Sequence, residues 1–365
     1  MTRLDDGFPM REAEYWESCG GRAVRCLLCP NRCTLGEGQR GLCRNRVNRG
    51  GRLLAEAYGR VCALGADPVE KKPLLHFMPG SECFSIAAAG CNLACLNCQN
   101  HAISQAAPAD VPSRRLLPAD VAAMAVACGC GIVAYTYTEP LTYIEYTRDC
   151  AEQCRQRGLR NVLVTAGYVC SEPLAGLLPL IDAANVDLKS FSDAVYRRVS
   201  RAALDPVLRT LCMMRDAGVW LEVTNLVIPG VNDDMRLVAS MCRWLAANSL
   251  DSAPLHFSRF FPCHRMSGVP PTPVATLVEA RRVALDCGIR HVYIGNVDMP
   301  GAADTVCPRC GATLIRRCGY AVDTAGFDGL CPRCGQPVAL TTGRWRVGDV
   351  AKQAVRHCRT ACLAL

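Results

Sequence analysis

The stretch GCNLACLNCQN (90–100) places Cys91, Cys95 and Cys98 in one short turn. Three thiols do not complete a tetrahedral structural zinc site, which takes four protein ligands, and they do not pair off as disulfides. Three thiolates can instead hold three irons of a [4Fe–4S] cluster and leave the fourth iron open to a small molecule. Two plainer readings compete: a zinc ion completed by His101, or three unrelated thiols. Two further groups flank this one. Cys26, Cys29, Cys33 and Cys43 have C-x₂-C-x₃-C-x₉-C spacing, with glycine and proline allowing tight turns. Four thiolates close a site, so this one is expected to be structural or electron-relaying, with zinc and an auxiliary iron–sulfur cluster both feasible. Cys307, Cys310, Cys331 and Cys334 form two CPRC pairs, each followed by glycine, in C-x₂-C-x₂₀-C-x₂-C spacing. That is the knuckle pattern of a zinc ribbon.

The whole chain has 26 cysteines in 365 residues. Where thiols are kept reduced, such clustering points to metal or redox work rather than disulfides. Cys128, Cys130, Cys212, Cys242 and Cys287 lie in apolar or helical stretches and read as small buried hydrophobes. The formal charge is +8 with every cysteine neutral. One three-thiolate cluster and two four-thiolate zinc ions would bring it to about +3, weak grounds for a polyanionic partner. The ribbon insert has only two arginines and two aromatics, so no nucleic-acid face is evident. No run approaches the ~18 apolar residues of a membrane span, and MTRLDDGFPMREAEYWE lacks the apolar segment of a secretory signal. A soluble, cytoplasmic protein is expected.

Something must hold these groups in place. Residues 1–80 are rich in Gly, Arg and Cys and show little periodicity, as a small metal-stapled lead-in would. From 81 to 300, short apolar runs alternate with amphipathic stretches. Strands are expected at 83–89, 131–137, 161–166, 184–188, 219–228, 254–260 and 290–295, with helices at 118–128, 141–157, 233–248 and 273–287. Repeated alternation predicts βαβ units and a parallel sheet, and this many repeats favour an α/β partial (β/α)6-type TIM-like barrel over an open doubly wound sheet. Barrel chemistry sits at the carboxyl ends of strands. Cys91, Cys95 and Cys98 follow the first strand, which weighs against the two plainer readings. The ribbon-like segment then spans 301–342 and a tail 343–365, where His357, Cys358 and Cys362 fall on a basic amphipathic stretch.

C-x₃-C-x₂-C after a first strand resembles the signature of radical S-adenosylmethionine (SAM) enzymes. The resemblance implies that the open iron chelates the amino and carboxylate groups of SAM, and that one electron from the cluster cleaves SAM to a 5′-deoxyadenosyl radical. YTYTEP after the second strand is similar to the segment of activating enzymes whose acid receives the SAM ammonium, placing Thr138 and Glu139 there. DLK (Asp187, Leu188, Lys189) after the fourth strand resembles a segment that lies near SAM, and FFPCHRM, with His264, resembles a Pro-x-His segment with a SAM-contacting or proton-handling role. Each has a bland reading: a solvated glutamate, an ordinary ion pair, a structural histidine.

Narrower matches resemble the radical SAM enzyme of the AmmeMemoRadiSam system, related to pyruvate formate-lyase activating enzymes. They are DPVEKKPLLHFMPG (67–80), CQNHAISQ (98–105), DAANVDLKSF (182–191), VTNLVIPGVND (223–233), HFSRFFP (256–262) and VYIGNV (292–297). The resemblance implies Memo-type and AMMECR-type partner proteins, an electron donor such as flavodoxin or ferredoxin, and hydrogen abstraction from a substrate it does not identify. Two positions depart from the pattern. Asn97 stands where an aromatic often leans on adenine, and Ala166 where Asn is usual. One alternative is an activase installing a glycyl radical on a partner protein. The other, of a different class, is a non-catalytic multi-zinc interaction protein.

Overall fold

Strand–helix alternation produces one eight-stranded sheet in the computed structural model, which describes residue 8 and residues 11–341. Its strands are β1 (Ala63–Pro68), β2 (Glu82–Ala87), β3 (Ile132–Tyr135), β4 (Arg160–Thr165), β5 (Ala183–Asp187), β6 (Trp220–Val227), β7 (Leu255–Arg259) and β8 (Val292–Gly295). Each pairs with its neighbour in chain order. Strands β2 to β8 run parallel, and β1 joins β2 antiparallel with Ala63 opposite Ala87. The first and last strands do not pair with each other, so the sheet has two free ends. Helices α1 (Pro118–Ala127), α2 (Ile144–Gln156), α3 (Ser171–Leu177), α4 (Leu204–Asp216), α5 (Met235–Ala247) and α6 (Val274–Asp286) fill the connections between the parallel strands.

Both faces of these strands are covered, which is why they read as continuous apolar runs rather than alternating ones. Every residue of β3 is buried. On one face lies a plug: Val69, Leu74, Phe77 and Met78 pack against Cys83, Ile132, Ala134, Val162 and Ala183, mostly in the amino-terminal halves of β2 to β5. Polar bonds fix it. The buried Glu222 carboxylate accepts the Leu75 and His76 amides at 2.9 and 2.8 Å, and the Asn185 amide donates to the Pro73 carbonyl at 2.8 Å. The plug fills the amino-terminal end of the sheet and leaves the carboxyl ends to loops. Strand β1 and this plug both fall inside the segment that the sequence reads as lead-in.

The lead-in proper consists of short antiparallel strands, among them Trp16–Ser18, Val24–Cys26, Arg46–Arg49 and Arg52–Ala55. A fully buried ion pair fastens it to α2, with Arg46 Nη2 2.6 Å from Glu145 Oε1. At the other end, Thr305–Val306, Thr313–Cys318 and Ala321–Asp323 make a small antiparallel sheet. Arg317 secures it to the plug through the Leu75 carbonyl at 2.5 Å. Helices α3 and α4 were not among the segments named from sequence. The first is short and contains Pro173, and the second opens LDP, so neither offers a long uninterrupted pattern. Cys128, Cys130 and Cys242 are buried as expected, whereas Cys212 and Cys287 are only partly so. The tail expected at 343–365 lies outside the described residues.

Candidate active site

Strand β2 ends in Ala87, and Gly90 turns the chain with φ +97° into the cysteine loop. Only glycine suits this turn, because a Cβ there would sit 2.3 Å from the Cys43 carbonyl oxygen. Backbone bonds from Ala94 to Ser200 (3.0 Å) and from Leu96 to Val199 (2.9 Å) fix the loop over the far end of the sheet. Burial pushes the Cys91 thiol well up, and the nearby charges of Glu139 and Cys95 push it further. Burial also raises Cys95, opposed by the Lys189 ammonium. Buried thiols of this kind ionise when a metal takes the charge.

Glu139 is 2% exposed and sits just past β3. Tyr137, at φ +64°, bends the chain there, and the Thr138 hydroxyl donates to the Ala88 carbonyl at 2.7 Å. One Glu139 oxygen accepts the Thr165 hydroxyl at 2.6 Å and the Leu141 amide at 3.2 Å. The other accepts the Ala166 amide at 2.7 Å. Burial raises the carboxyl's pKa despite these donors. A carboxylate so held has fixed oxygens and an unmet demand for positive charge, the property needed to receive an ammonium group.

At the end of β5, Lys189 Nζ lies 3.0 Å from Asp187 Oδ2. Burial opposes the Lys189 charge, but Asp187 and Cys95 together outweigh it and raise its pKa. Beyond β7, His264 adopts φ +49° and stacks on His101, with ring centroids 4.4 Å apart. Burial, His101 and Arg265 all lower its pKa. His101 is in turn 3.2 Å from the Cys98 carbonyl, and the neighbouring Cys263 thiol donates to the Asn97 carbonyl at 3.1 Å. Glu139, Asp187, Lys189 and His264 thus surround the three-cysteine loop from three different strand ends. Thr138 is placed differently: its hydroxyl hydrogen is committed to Ala88, so it ties β3 to the chain after β2.

A cavity of about 30 Å³ lies beside the loop, lined among others by Asn97, Asp187, Lys189, Ser190 and Thr224. Asn97 Oδ1, Ser190 Oγ and Thr224 Oγ1 are buried there with no hydrogen-bond partner. Natural interiors leave few such groups unpaired, and a cavity of this size suits one bridging water rather than a larger molecule. Sequence reasoning missed Ser190 and Thr224, although Ser190 directly follows DLK. It also missed Thr165, whose side chain aligns Glu139. Ala166 contributes through its main chain alone, so the side chain missing at this position leaves that contact intact.

The ribbon cysteines are geometrically distinct. The Sγ atoms of Cys307, Cys310, Cys331 and Cys334 all lie within 4.8 Å of one another. Two of the separations, Cys307–Cys334 and Cys310–Cys331, are 3.6 Å. Sulfurs bound to one tetrahedral zinc stand about 3.8 Å apart, given a 2.3 Å Zn–S bond. This four-cysteine group therefore fits a single ion.

Residues 85–240 match the Radical SAM superfamily. The chain carries that domain and belongs to the same family as the uncharacterized protein MJ0808 of Methanocaldococcus jannaschii, to which it is 44% identical over 308 residues, 84% of this chain and 92% of that protein. It is also homologous to activating enzymes. The (2S)-3-sulfopropanediol dehydratase activating enzyme of Klebsiella oxytoca is 27% identical over 105 residues, 29% of this chain and 33% of that protein. A solved domain of pyruvate-formate lyase-activating enzyme from Bacteroides vulgatus is 21% identical with a TM-score of 0.39, covering 45% of this chain and 98% of that one. Among the described residues, no helix is long and apolar enough to cross a membrane.

Proposed function

We propose that the protein is a radical SAM enzyme that abstracts a hydrogen atom from an unidentified substrate, and that it is the radical SAM member of an AmmeMemoRadiSam system. The observation that carries this reading is the convergence of Cys91, Cys95 and Cys98 with Glu139, Asp187 and Lys189 beside buried, unpartnered polar atoms. In this reading the sheet is a partial barrel, the three cysteines hold a [4Fe–4S] cluster, and Cys307, Cys310, Cys331 and Cys334 hold zinc. When bound, cluster and SAM supply a 5′-deoxyadenosyl radical by one-electron reductive cleavage. The chain's own residues position and shield. Glu139 receives the SAM ammonium, with its oxygens fixed by Thr165, Ala166 and Leu141. Lys189, kept charged by Asp187, faces the SAM carboxylate. His264, stacked on His101 beside the loop, contacts SAM or handles a proton.

A cleft of about 850 Å³ runs along the free edge of β8, between Ser258 and Gly295 on the sheet and Arg316 to Asp323 of the ribbon. Its lining includes Pro73 and Leu75 of the plug and no residue of the cysteine loop, nor Glu139, Asp187 or Lys189, so it is separate from the proposed radical site. The second reading, a glycyl radical activase, is favoured by the homology to activating enzymes. The domain divisions follow from the same reading with one change: the lead-in ends before Ala63, because β1 and the plug belong to the sheet, the barrel runs to 300 and the ribbon follows. A cytoplasmic enzyme fed by flavodoxin or ferredoxin, with Memo-type and AMMECR-type partners, completes the proposal. The test is spectroscopic: add SAM to the dithionite-reduced, iron–sulfide-loaded protein and record the cluster's electron paramagnetic resonance (EPR) signal. A SAM-dependent shift that needs at least tenfold more SAM after Glu139→Gln is expected. Colourless protein with zinc and no iron would leave the multi-zinc scaffold instead.

A further inference from the structure

The three cysteine groups fall into two geometric kinds. The ribbon's sulfurs crowd to single-ion distances, but no other three Cys, His, Asp or Glu side chains among the described residues bring their ligand atoms within 4.8 Å of one another. In neither Cys26, Cys29, Cys33 and Cys43 nor Cys91, Cys95 and Cys98 do three sulfurs all lie that close. The first four still form one group. A Cβ on Gly41 would lie 3.5 Å from Cys43 Sγ and 3.9 Å from Cys33 Sγ, and Cys29, Cys33 and Cys43 all feel the charge of Cys26. Four thiolates on one ion must crowd together. Four thiolates that each bind a different iron of a cluster stand apart around it.

The surroundings suit a charged, electron-carrying group. The Leu42 amide donates to Cys33 Sγ at 3.5 Å, a contact that tunes cluster potentials. The buried Arg46 guanidinium lies within reach of Cys26 and Cys43 and offsets thiolate charge. Position is the stronger observation. Gly90 packs onto the Cys43 carbonyl so closely that a Cβ would overlap it, and the Asn31 amide donates to the Asn92 carbonyl at 2.9 Å. The inner side of the group thus touches the loop that carries Cys91 and Cys95. Leu42, 63% exposed, and Arg32 lie on its outer, solvent side.

We infer that Cys26, Cys29, Cys33 and Cys43 hold a second [4Fe–4S] cluster, not zinc, which relays electrons to the cluster at 91–98. A low-potential one-electron donor of the flavodoxin or ferredoxin class reduces the outer cluster by one electron. That electron passes inward, each cluster's charge changes by one, and no bond or proton is exchanged. The identity of the metal is independent of the function proposed above, whereas the relay rests on it.

The experiment uses the full chain, reconstituted anaerobically with iron and sulfide, with metal content and EPR read together. Wild type is expected to hold about eight irons and about one zinc. The Cys91→Ala/Cys95→Ala/Cys98→Ala variant reads the outer site alone. It is expected to keep about four irons and to give, after dithionite, an EPR signal that SAM leaves unchanged. About two zincs and no iron in that variant would overturn the inference, whatever the radical chemistry does. Conversely, Cys29→Ala/Cys33→Ala is expected to fall from about eight irons to about four. In that variant, reduction of the remaining cluster by reduced flavodoxin should slow at least tenfold, while dithionite still reduces it. An unchanged flavodoxin rate would refute the relay.

Discussion

Replacing Glu139 with glutamine removes one negative charge from a side chain whose three donors are known: Thr165, Leu141 and Ala166. The amide has one oxygen, so it cannot accept at both positions. One buried donor must face an NH₂ group, at a cost of about 1–3 kcal/mol in stability. The loss of the charge-assisted bond to the SAM ammonium is a separate effect of about 1.5–3 kcal/mol, or about 10- to 150-fold in affinity. The assay is equilibrium binding of labelled SAM to cluster-loaded protein, with iron content and thermal unfolding measured on the same samples. Glu139→Gln should keep its iron, unfold a few degrees earlier and bind SAM at least tenfold more weakly. Thr165→Val is the control: it removes one aligning donor but keeps the charge, so its affinity loss should be smaller. Refutation would be a Glu139→Gln protein that binds SAM within twofold of wild type while retaining full iron.

Three other perturbations have defined outcomes. Gly90→Ala forces a Cβ into the Cys43 carbonyl, so iron content should fall by at least half while the zinc of the ribbon stays, as metal analysis of the purified protein will show. Arg46→Ala strands Glu145 in a fully buried site, and chemical denaturation should register about 3–5 kcal/mol of lost stability, against a small loss for Arg25→Ala at the exposed pair with Glu17. His291 is pushed down to about 3 by burial, with His76 and Arg290 adding to the effect and Glu222 opposing it. The unfolded chain therefore takes up this proton below pH 6.5 while the folded one does not, so its share of stability is complete above that pH and is lost as pH falls toward 3. At pH 5.5 the loss is about 1.4 kcal/mol, and the difference between wild type and His291→Gln in melts at pH 7.5 and 5.5 should show it.

The sheet was legible because strands buried on both faces leave unbroken apolar runs, and each of the seven expected after residue 82 is present within a few residues. Strand β1 was not legible. ALGADP has little β-branched character and is held by pairing with β2 rather than by its own propensity. The cysteine loop could be read from its spacing, and Glu139 and the DLK segment from the family resemblance, because strand ends in a parallel sheet bring together residues distant in sequence. Thr165, Ser190 and Thr224 could not. A serine or threonine acquires a role only when its hydroxyl is buried facing a charge or a cavity, and sequence position does not tell which ones are. The kinds of metal site were likewise hidden, since C-x₂-C spacing serves one ion or a cluster equally well. Separation of the sulfurs distinguishes them.

The central claim is tested most directly by product formation. Protein loaded with iron and sulfide is reduced by dithionite under anaerobic conditions, SAM is added, and 5′-deoxyadenosine is quantified, with Cys95→Ala treated identically. The account predicts 5′-deoxyadenosine from the wild type and none above background from the variant. Failure of the wild type to assemble any iron–sulfur cluster, or equal product from both proteins, would contradict it.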